Sequence, residues 1–441
     1  MNQLQFEQIG IPTITVITPP FLELAESTME GKGFADMPFL IVPHPMGMIK
    51  EDEIRAKADE AFPDLLKIAT EWQPERTEIP NLGKPAYPAE TIKFTGTFED
   101  VNDMFYERGW SLGLLIIPPT RDRVAEMLKG TSHSPDEIIW VIPPREGILT
   151  VELVAVNGVM AGCKPEHMPL LLAIAEAMSD PGYNWRFQTT TTHQAAPFIL
   201  VNGPIRHELD IAYGTGAAGP RQPTNMCVGH FVNLIGDIVG GSVTPSPDKS
   251  DQGWAGNIIA TVVGENEEAS PWEPYHVERG FDLNDNVVTL SGGAPPNVNW
   301  DHASNNAIDL AENLALLIAG TGTGGGCLSS SREGFLVLAP EHAQTIAADG
   351  WTKDDLREFL WDKARLPYWS YPGKPDGKPV PPFTCEPPED FGPYTDDTLI
   401  PVLQSPASIH IAVMGGDGKH SQFWDGMMSS PAVSVLIDKW R

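Results

Sequence analysis

The stretch Ile9–Phe21, IGIPTITVITPPF, decides how this chain is read. Ile11 to Ile17 reads as a buried strand that Pro19-Pro20 brings to a stop. A half-buried strand alternates polar and apolar residues, whereas a continuous apolar run suits a sheet covered on both faces. A helix is expected over Phe21 to Met29, a second apolar strand over Phe39 to Val42, and a long helix over Glu51 to Trp72. Pro19-Pro20 and Pro43-His44-Pro45 fall just after the strands, where ligands approach open α/β sheets. Two strands do not make a stable sheet, and the first begins as early as Ile11. The expectation is an incomplete, flavodoxin-like parallel-sheet half-domain whose remaining strands come from later segments or from a partner chain.

The totals narrow the function classes. The chain has 441 residues, 41% hydrophobic and 20% charged, an ordinary balance for a globular protein with a sizeable core. Its formal charge is −30 and no basic cluster interrupts it, which argues against nucleic acid and against an anionic membrane surface. No apolar run approaches the roughly 20 residues of a membrane span. No Lys or Arg precedes Lys32, so neither a secretory nor a transit leader is expected. Cys163, Cys227, Cys327 and Cys385 lie far apart, without zinc-finger spacing. A cytoplasmic location with free thiols is the expectation.

Composition suggests three regions. Residues 1–75 form the split α/β half-domain, and 76–90, rich in Pro and polar residues, read as a linker. Residues 91–441 form a larger α+β or α/β substrate-binding region, undivided or split into 91–330 and 331–441. Within it Leu149 to Val156 reads as a strand, Pro165 to Met178 as an amphipathic helix, and Ile409 to Met414 as a final strand.

Several residues carry candidate chemistry. Cys163 precedes Pro165 at a helix start, where the macrodipole and Lys164 lower a thiol's pKa; the alternative is a small buried residue in a tight turn. TTTTHQ (Thr189 to Gln194) reads as an extended segment whose hydroxyls, Thr191 and Thr192 among them, bind an anion while His193 serves as acid or base. A plain edge strand is the alternative. Asn202 and Arg206 in VNGPIRHELDI offer an amide and a guanidinium to a substrate carboxylate. Glu265, Glu267 and His276 crowd one acidic loop and, with His193, make an alternative metal set. GGDGKHSQFW follows an apolar strand and is read as opening a helix, with Gly415 and Gly416 as an anion nest and Lys419 as its counter-charge. GTGTGGGC (Gly320 to Cys327) follows a helix and so lacks the context of a dinucleotide fingerprint.

These stretches together resemble a known family. QIGIPTITVITPPFLELA and FLIVPHPMG are similar to the end of the domain that names the UGSC-motif (seleno)protein family. They are also similar to the C-terminal end of selenoprotein B of glycine, sarcosine and betaine reductases. GWSLGLLIIPPTRDRVAEML, VELVAVNGVMAGCKPEHMPLLLAIAEAM, FILVNGPIR, GENEEASPWEPYHVERGF, LVLAPEHAQTIAADGWTKDDLREFLWDKAR and GGDGKHSQFW resemble the long, two-part members. One departure is GWSLGLLIIPPT, where relatives carry an Asp-Gly-Leu-Pro turn. In such relatives a U/C-G-x-C redox turn lies just upstream of the helix leading into the GIP strand, and it is absent here.

The resemblance implies a large subunit of a heteromeric, thiol(ate)-dependent enzyme, a reductase or lyase. It would cleave a carbon–heteroatom bond in a small polar or anionic molecule, reductively or by nucleophilic attack. The main redox Cys or Sec would sit on a small partner subunit carrying the C/U-G-x-C turn, with a dimer of heterodimers as one arrangement. No cofactor is required in this chain; an external thiol or dithiol is the expected reductant. His193 is the expected acid/base, Cys163 a second thiol, and His44 marks where the partner's turn arrives. Thr191, Thr192, Asn202, Arg206, Gly415, Gly416 and Lys419 are the expected substrate binders. The alternatives are a metal-dependent hydrolase or lyase using His193, Glu265, Glu267 and His276, and a non-catalytic scaffold subunit.

Overall fold

The computed structural model of the chain describes residues 2–47, 49–72, 85–248, 250–321, 333–370, 395–426 and 431–441. Residues 76–84 of the expected linker, most of the GTGTGGGC loop with Cys327, and 371–394 with Cys385 lie outside the described residues. In chain order the strands are β1 (Thr15–Ile17), β2 (Phe39–Ile41), β3 (Ile138–Ile142), β4 (Gly147–Thr150), β5 (Ala196–Asn202), β6 (Thr261–Gly264) and β7 (Val287–Gly293). They continue with β8 (Asn297–Asn299), β9 (Gly334–Leu338), β10 (Arg365–Pro367), β11 (Leu399–Pro401), β12 (Ile409–Val413), β13 (Ser421–Asp425) and β14 (Val433–Leu436).

Two four-stranded mixed sheets dominate, ordered β14-β7-β5-β6 and β12-β9-β13-β8. The β5–β6 and β9–β12 pairs are parallel and their other ladders antiparallel. The period-2 alternation of a strand sorts their side chains into layers. Phe198 and Leu200 of β5 meet Phe335 and Val337 of β9, Ala412 of β12 and Trp424 of β13 between the sheets. Ile199 and Val201, one residue out of phase, face the helices Val151–Ala161, Met168–Ser179 and Pro223–Leu234. Leu336, Leu338, Ile409, Ile411 and Val413 face Ala307–Thr321, Pro340–Ala348 and Lys353–Lys363. The result is a helix–sheet–sheet–helix sandwich. Each of its fully buried large side chains contributes about 1.5–3 kcal/mol. Each sheet draws a strand from both sides of residue 330: β8 joins β13, and β14 joins β7.

The first module is smaller. β1 and β2 pair in parallel, Thr15 against Phe39, with the helix Leu22–Gly31 between them. Leu40 and Val42 pack against Ala61 of the helix Glu51–Glu71. Lys32 bridges to Glu146 at 3.2 Å in the β3–β4 turn, and Arg186 reaches both Glu146 and Thr28. Gly31 is needed for this approach, because a Cβ there would lie 2.6 Å from the Arg145 carbonyl oxygen.

Five expectations from the sequence change. β1 covers only Thr15–Ile17 rather than Ile11 to Ile17, and it is not buried, with Val16 52% exposed. The expected strand Leu149 to Val156 ends at Thr150, whose hydroxyl accepts from Leu153 N–H and caps the helix Val151–Ala161. An apolar run buried on several sides has no period to tell helix from strand. The expected amphipathic helix begins as a 3₁₀ turn at Pro165–His167, and Met168–Ala175 are buried on every face. TTTTHQ is not extended: Thr189 and Thr190 close the helix Trp185–Thr190, their hydroxyls bonded back to Trp185 and Arg186 carbonyls at 3.1 and 2.6 Å. GGDGKHSQFW opens no helix, because Ser421–Asp425 is β13, so the loop lacks a macrodipole for an anion.

Candidate thiol centre

The helix Val151–Ala161 ends in Gly162, whose φ of 87° is the left-handed conformation that glycine adopts without strain. Gly162 N–H donates to Val159 O and Cys163 N–H to Gly158 O, which is the Schellman arrangement. That stop sets Cys163 at the mouth of the next turn. In that turn Lys164 N–H donates to His167 Nδ1 at 3.1 Å, so the imidazole serves as the turn's cap acceptor. The third group comes from the helix Pro223–Leu234, where Cys227 Sγ lies 3.3 Å from Thr224 O. Cys227 Sγ lies 3.8 Å from His167 Nδ1, and donor atoms of Cys163, His167 and Cys227 all fall within 4.8 Å of one another. Both cysteines are free and half-buried at the rim of the larger core.

The two thiols share their protons unequally. Hydrogen bonding from Cys163 is the largest cause that lowers the Cys227 pKa to about 5, outweighing burial, with His167 and Val228 N–H adding to it. Burial, and then the neighbouring Cys227, push Cys163 well up. The expectation that the helix start lowers Cys163 is therefore corrected: Cys227 takes the negative charge and Cys163 holds the proton. A thiolate is the nucleophilic form of cysteine, and Cys227 is mostly thiolate at neutral pH.

The donor spacing would suit one thiophilic ion. His167 Nδ1, however, already accepts the Lys164 N–H, and a neutral imidazole has a single acceptor lone pair. The turn's hydrogen bond thus occupies the imidazole nitrogen that faces the sulfurs, and the centre fits a dithiol. A cavity of about 470 Å³ lies against the same turn, lined by Glu166 and Pro169, by Ile205 and Leu209, and by the cationic Lys129 and Arg441. Leu209 ties it to the Cys227 helix by accepting the Thr224 hydroxyl at 2.7 Å. Gly130 supports the turn from below, since a Cβ there would lie 1.8 Å from Pro165 O. Gly130→Ala is expected to destabilise the fold by about 1–3 kcal/mol through overpacking and to slow Cys227 alkylation at pH 7. Unchanged urea midpoint and unchanged alkylation would show that the turn yields without cost.

The other expected residues lie elsewhere. His193 is exposed before the start of β5, and Thr191 Oγ1 accepts its N–H at 3.1 Å; Thr192 is exposed, its carbonyl accepting from Asp251 N–H. Asn202, Glu265, Glu267 and His276 gather at the far end of β5, separated from its start by about 20 Å of strand. The four-residue set with His193 is therefore not assembled. Arg206 is 2% exposed, and its guanidinium is held by Glu267 at 2.9 Å, Glu268 at 3.0 Å and the carbonyls of Gly203 and Glu265. It has no free edge for a substrate carboxylate. Gly415 N–H donates to Tyr213 O at 2.8 Å, and a Cβ on Gly416 would meet Thr215 Oγ1 at 1.9 Å. These glycines serve close packing of loops, with Lys419 half-buried beyond them. His44 is exposed after β2, its Nδ1 3.1 Å from Thr18 Oγ1.

His167 and Cys227 are the residues that reading the sequence missed. Cys163-Lys-Pro-Glu-His167 carries a weak local signal; Cys227 carries none, because it arrives from a helix far along the chain. Fold and site together define a mixed α/β protein with a buried-rim thiol centre. The family model described as the UGSC family matches residues 2–71, so the likeness to that family is carried by this first segment. The thiol centre lies outside the matched residues. No curated protein and no solved structure matches the chain. Among the described residues no helix is long and apolar enough to cross a membrane.

Proposed function

We propose that this chain is the large subunit of a thiol-dependent enzyme that reductively cleaves a carbon–heteroatom bond in a small polar or anionic molecule. The observation that carries the reading is the clustering of Cys163, His167 and Cys227, whose donor atoms lie within 4.8 Å of one another, with the Cys227 pKa lowered by its neighbours. The Cys227 sulfur attacks the substrate carbon, forms a C–S bond and expels the heteroatom group with its bonding pair. Alkylation removes the negative charge that helps hold the Cys163 proton, so Cys163 becomes easier to ionise. Its sulfur then attacks the adduct sulfur: an S–S bond forms, and the C–S pair leaves on carbon and takes up a proton. The substrate gains two electrons, the dithiol becomes a disulfide, and an external dithiol reduces it again. The adjoining cavity is lined by both signs of charge, with Lys129 paired to Glu126 and Arg441 to Glu208 and Asp438, and is proposed to take a small polar substrate.

A partner subunit belongs to the same reading. β1 and β2 form a sheet of two strands, with Val16 52% and Ile41 49% exposed on it. Two parallel strands with an exposed apolar side chain on each face and open edges gain from further strands. The small subunit with the C/U-G-x-C turn is proposed to add them, close to His44.

The test follows dithiothreitol consumption by the purified complex with α-amino and α-halo carboxylates. Turnover is expected, with at least a 1000-fold loss in Cys227→Ser and recovery of a Cys163–Cys227 disulfide peptide after a single turnover without reductant. Undiminished turnover in Cys227→Ser, or one zinc ion per chain bound by Cys163 and Cys227, would overturn the reading. Val16→Asp is expected to release the small subunit while leaving the thermal unfolding of the isolated large chain within about 1 °C. Retention of the partner in Val16→Asp would remove β1 from the interface.

A further inference from the structure

We propose that the cluster at the C-terminal ends of β5 and β6 binds one divalent transition-metal ion through Asn202 Oδ1, Glu265 Oε1 and His276 Nδ1. All three side chains are fully buried, and each keeps that one atom without a partner among the described residues.

Their hydrogen bonds fix what those atoms are. Asn202 Nδ2 faces two carboxylate oxygens, Glu265 Oε2 at 2.5 Å and Glu267 Oε1 at 3.0 Å. Carboxylates only accept, so the amide nitrogen must lie on that side and Oδ1 is an acceptor. Glu265 Oε2 also accepts Tyr275 N–H at 2.7 Å, leaving Oε1 as the unmatched oxygen. His276 Nε2 faces the Leu283 carbonyl at 3.3 Å, which only accepts, so the neutral ring carries its proton there. Its Nδ1 is the ring nitrogen without a hydrogen-bond partner, 4.0 Å from Glu267 Oε1.

The three side chains gather around Glu267 Oε1, which lies 3.0 Å from Asn202 Nδ2 and 4.0 Å from His276 Nδ1, and Asn202 Nδ2 in turn lies 2.5 Å from Glu265 Oε2. A proton or a hydroxyl can satisfy one or two of them; a cation can satisfy all three together. The local charge agrees. Arg206 is already paired with Glu267 and Glu268, and Lys353 with Glu278 at 3.2 Å. An imidazole nitrogen with carboxylate and amide oxygens suits Mn²⁺, Fe²⁺ or Zn²⁺, and it lacks the sulfur that softer ions prefer. The surroundings resemble a prepared outer shell: Leu283 O orients the ring, and Gly203 N–H and Arg206 hold Glu267. The carboxyl ends of adjacent parallel strands are also where ligands enter such sheets. This site is separate from the dithiol, which stands in the helix layer outside the same sheet.

Mn²⁺ is the probe, because it is hard and does not seek thiols. The full chain and its Cys163→Ser/Cys227→Ser variant are titrated while free Mn²⁺ is followed by electron paramagnetic resonance. One bound Mn²⁺ per chain is expected in both, with spin-echo modulation from one imidazole nitrogen in the unsubstituted chain. His276→Gln and Glu265→Gln, shown folded by circular dichroism, are expected to weaken binding at least tenfold, and His276→Gln to abolish the nitrogen modulation. The proposal is overturned if the folded unsubstituted chain binds no Mn²⁺, if the modulation survives His276→Gln, or if binding disappears with the two cysteines.

Discussion

Carboxymethylation of Cys227 by iodoacetate is expected to proceed at a constant rate from pH 9 down to about pH 6 and to fall tenfold per pH unit below its pKa of about 5. The reacting species is the thiolate, so the rate follows the ionised fraction. In urea-unfolded chain the same cysteine should titrate near the ordinary thiol value of about 8.5, making the native rate at pH 6 more than 100-fold greater relative to its own plateau. Peptide mass spectrometry separates Cys227 from the other cysteines. Cys163→Ser is the sharper variant, because the Cys163 hydrogen bond is the largest cause of the low value. A serine hydroxyl is a weaker acid and a shorter donor, and the inflection should move up by one unit or more. An inflection above pH 8 in the native chain would remove the thiolate from the centre altogether.

Arg206→Ala is expected to cost about 3–5 kcal/mol of stability, the range for removing one partner from a buried ion pair. Glu267 would be left beside buried Glu265 and Asn202 without its counter-charge. Arg206→Lys should recover less than half, since an ammonium cannot reproduce the fork that meets Glu268 through two nitrogens. A substrate-binding arginine would behave differently, raising KM with little change in the urea midpoint. The acid limb gives a second reading. Burial is the largest single influence and works against the Glu268 carboxylate, yet the hydrogen bond and charge of Arg206, with a backbone hydrogen bond and His207, together outweigh it and hold the pKa at about 2. A depressed carboxylate contributes stability that is complete above its unfolded pKa of about 4.3. That contribution is lost as pH falls from there through about 2. The slope of stability against pH in this window should therefore flatten in Arg206→Ala. An unchanged midpoint together with an unchanged slope would show that the pair contributes nothing.

Local chemistry made much of the framework legible. The helix Phe98–Glu107 begins at Thr97 and Asp100, which form a capping box, a start signal written in the local sequence. The helix Glu51–Glu71 carries three acidic residues in its first turn, as the macrodipole favours. β12 was legible as a short apolar run that ends just before Gly415. Where the apolar run was long the reading failed, as at Leu149 to Val156, because burial on all sides erases the period that distinguishes helix from strand. TTTTHQ failed for another reason. Threonine hydroxyls can bond back to carbonyls one turn earlier, and the buried Trp185 anchors that helix, so tertiary packing overrode a β-branched preference.

By itself the sequence determined the mixed α/β class, the strongly acidic net charge, and the UGSC-like character of the first segment. It also marked Cys163 and the Asn202–Arg206 and Glu265–His276 stretches as chemically loaded. Only the tertiary structure decided which of these meet. A cysteine's reactivity depends on groups within a few ångströms, and Cys227 reaches Cys163 and His167 from 60 or more positions away along the chain. The same holds for Arg206: its charge was plain in the sequence, but folding set two carboxylates against it and turned an apparent substrate clamp into part of the frame.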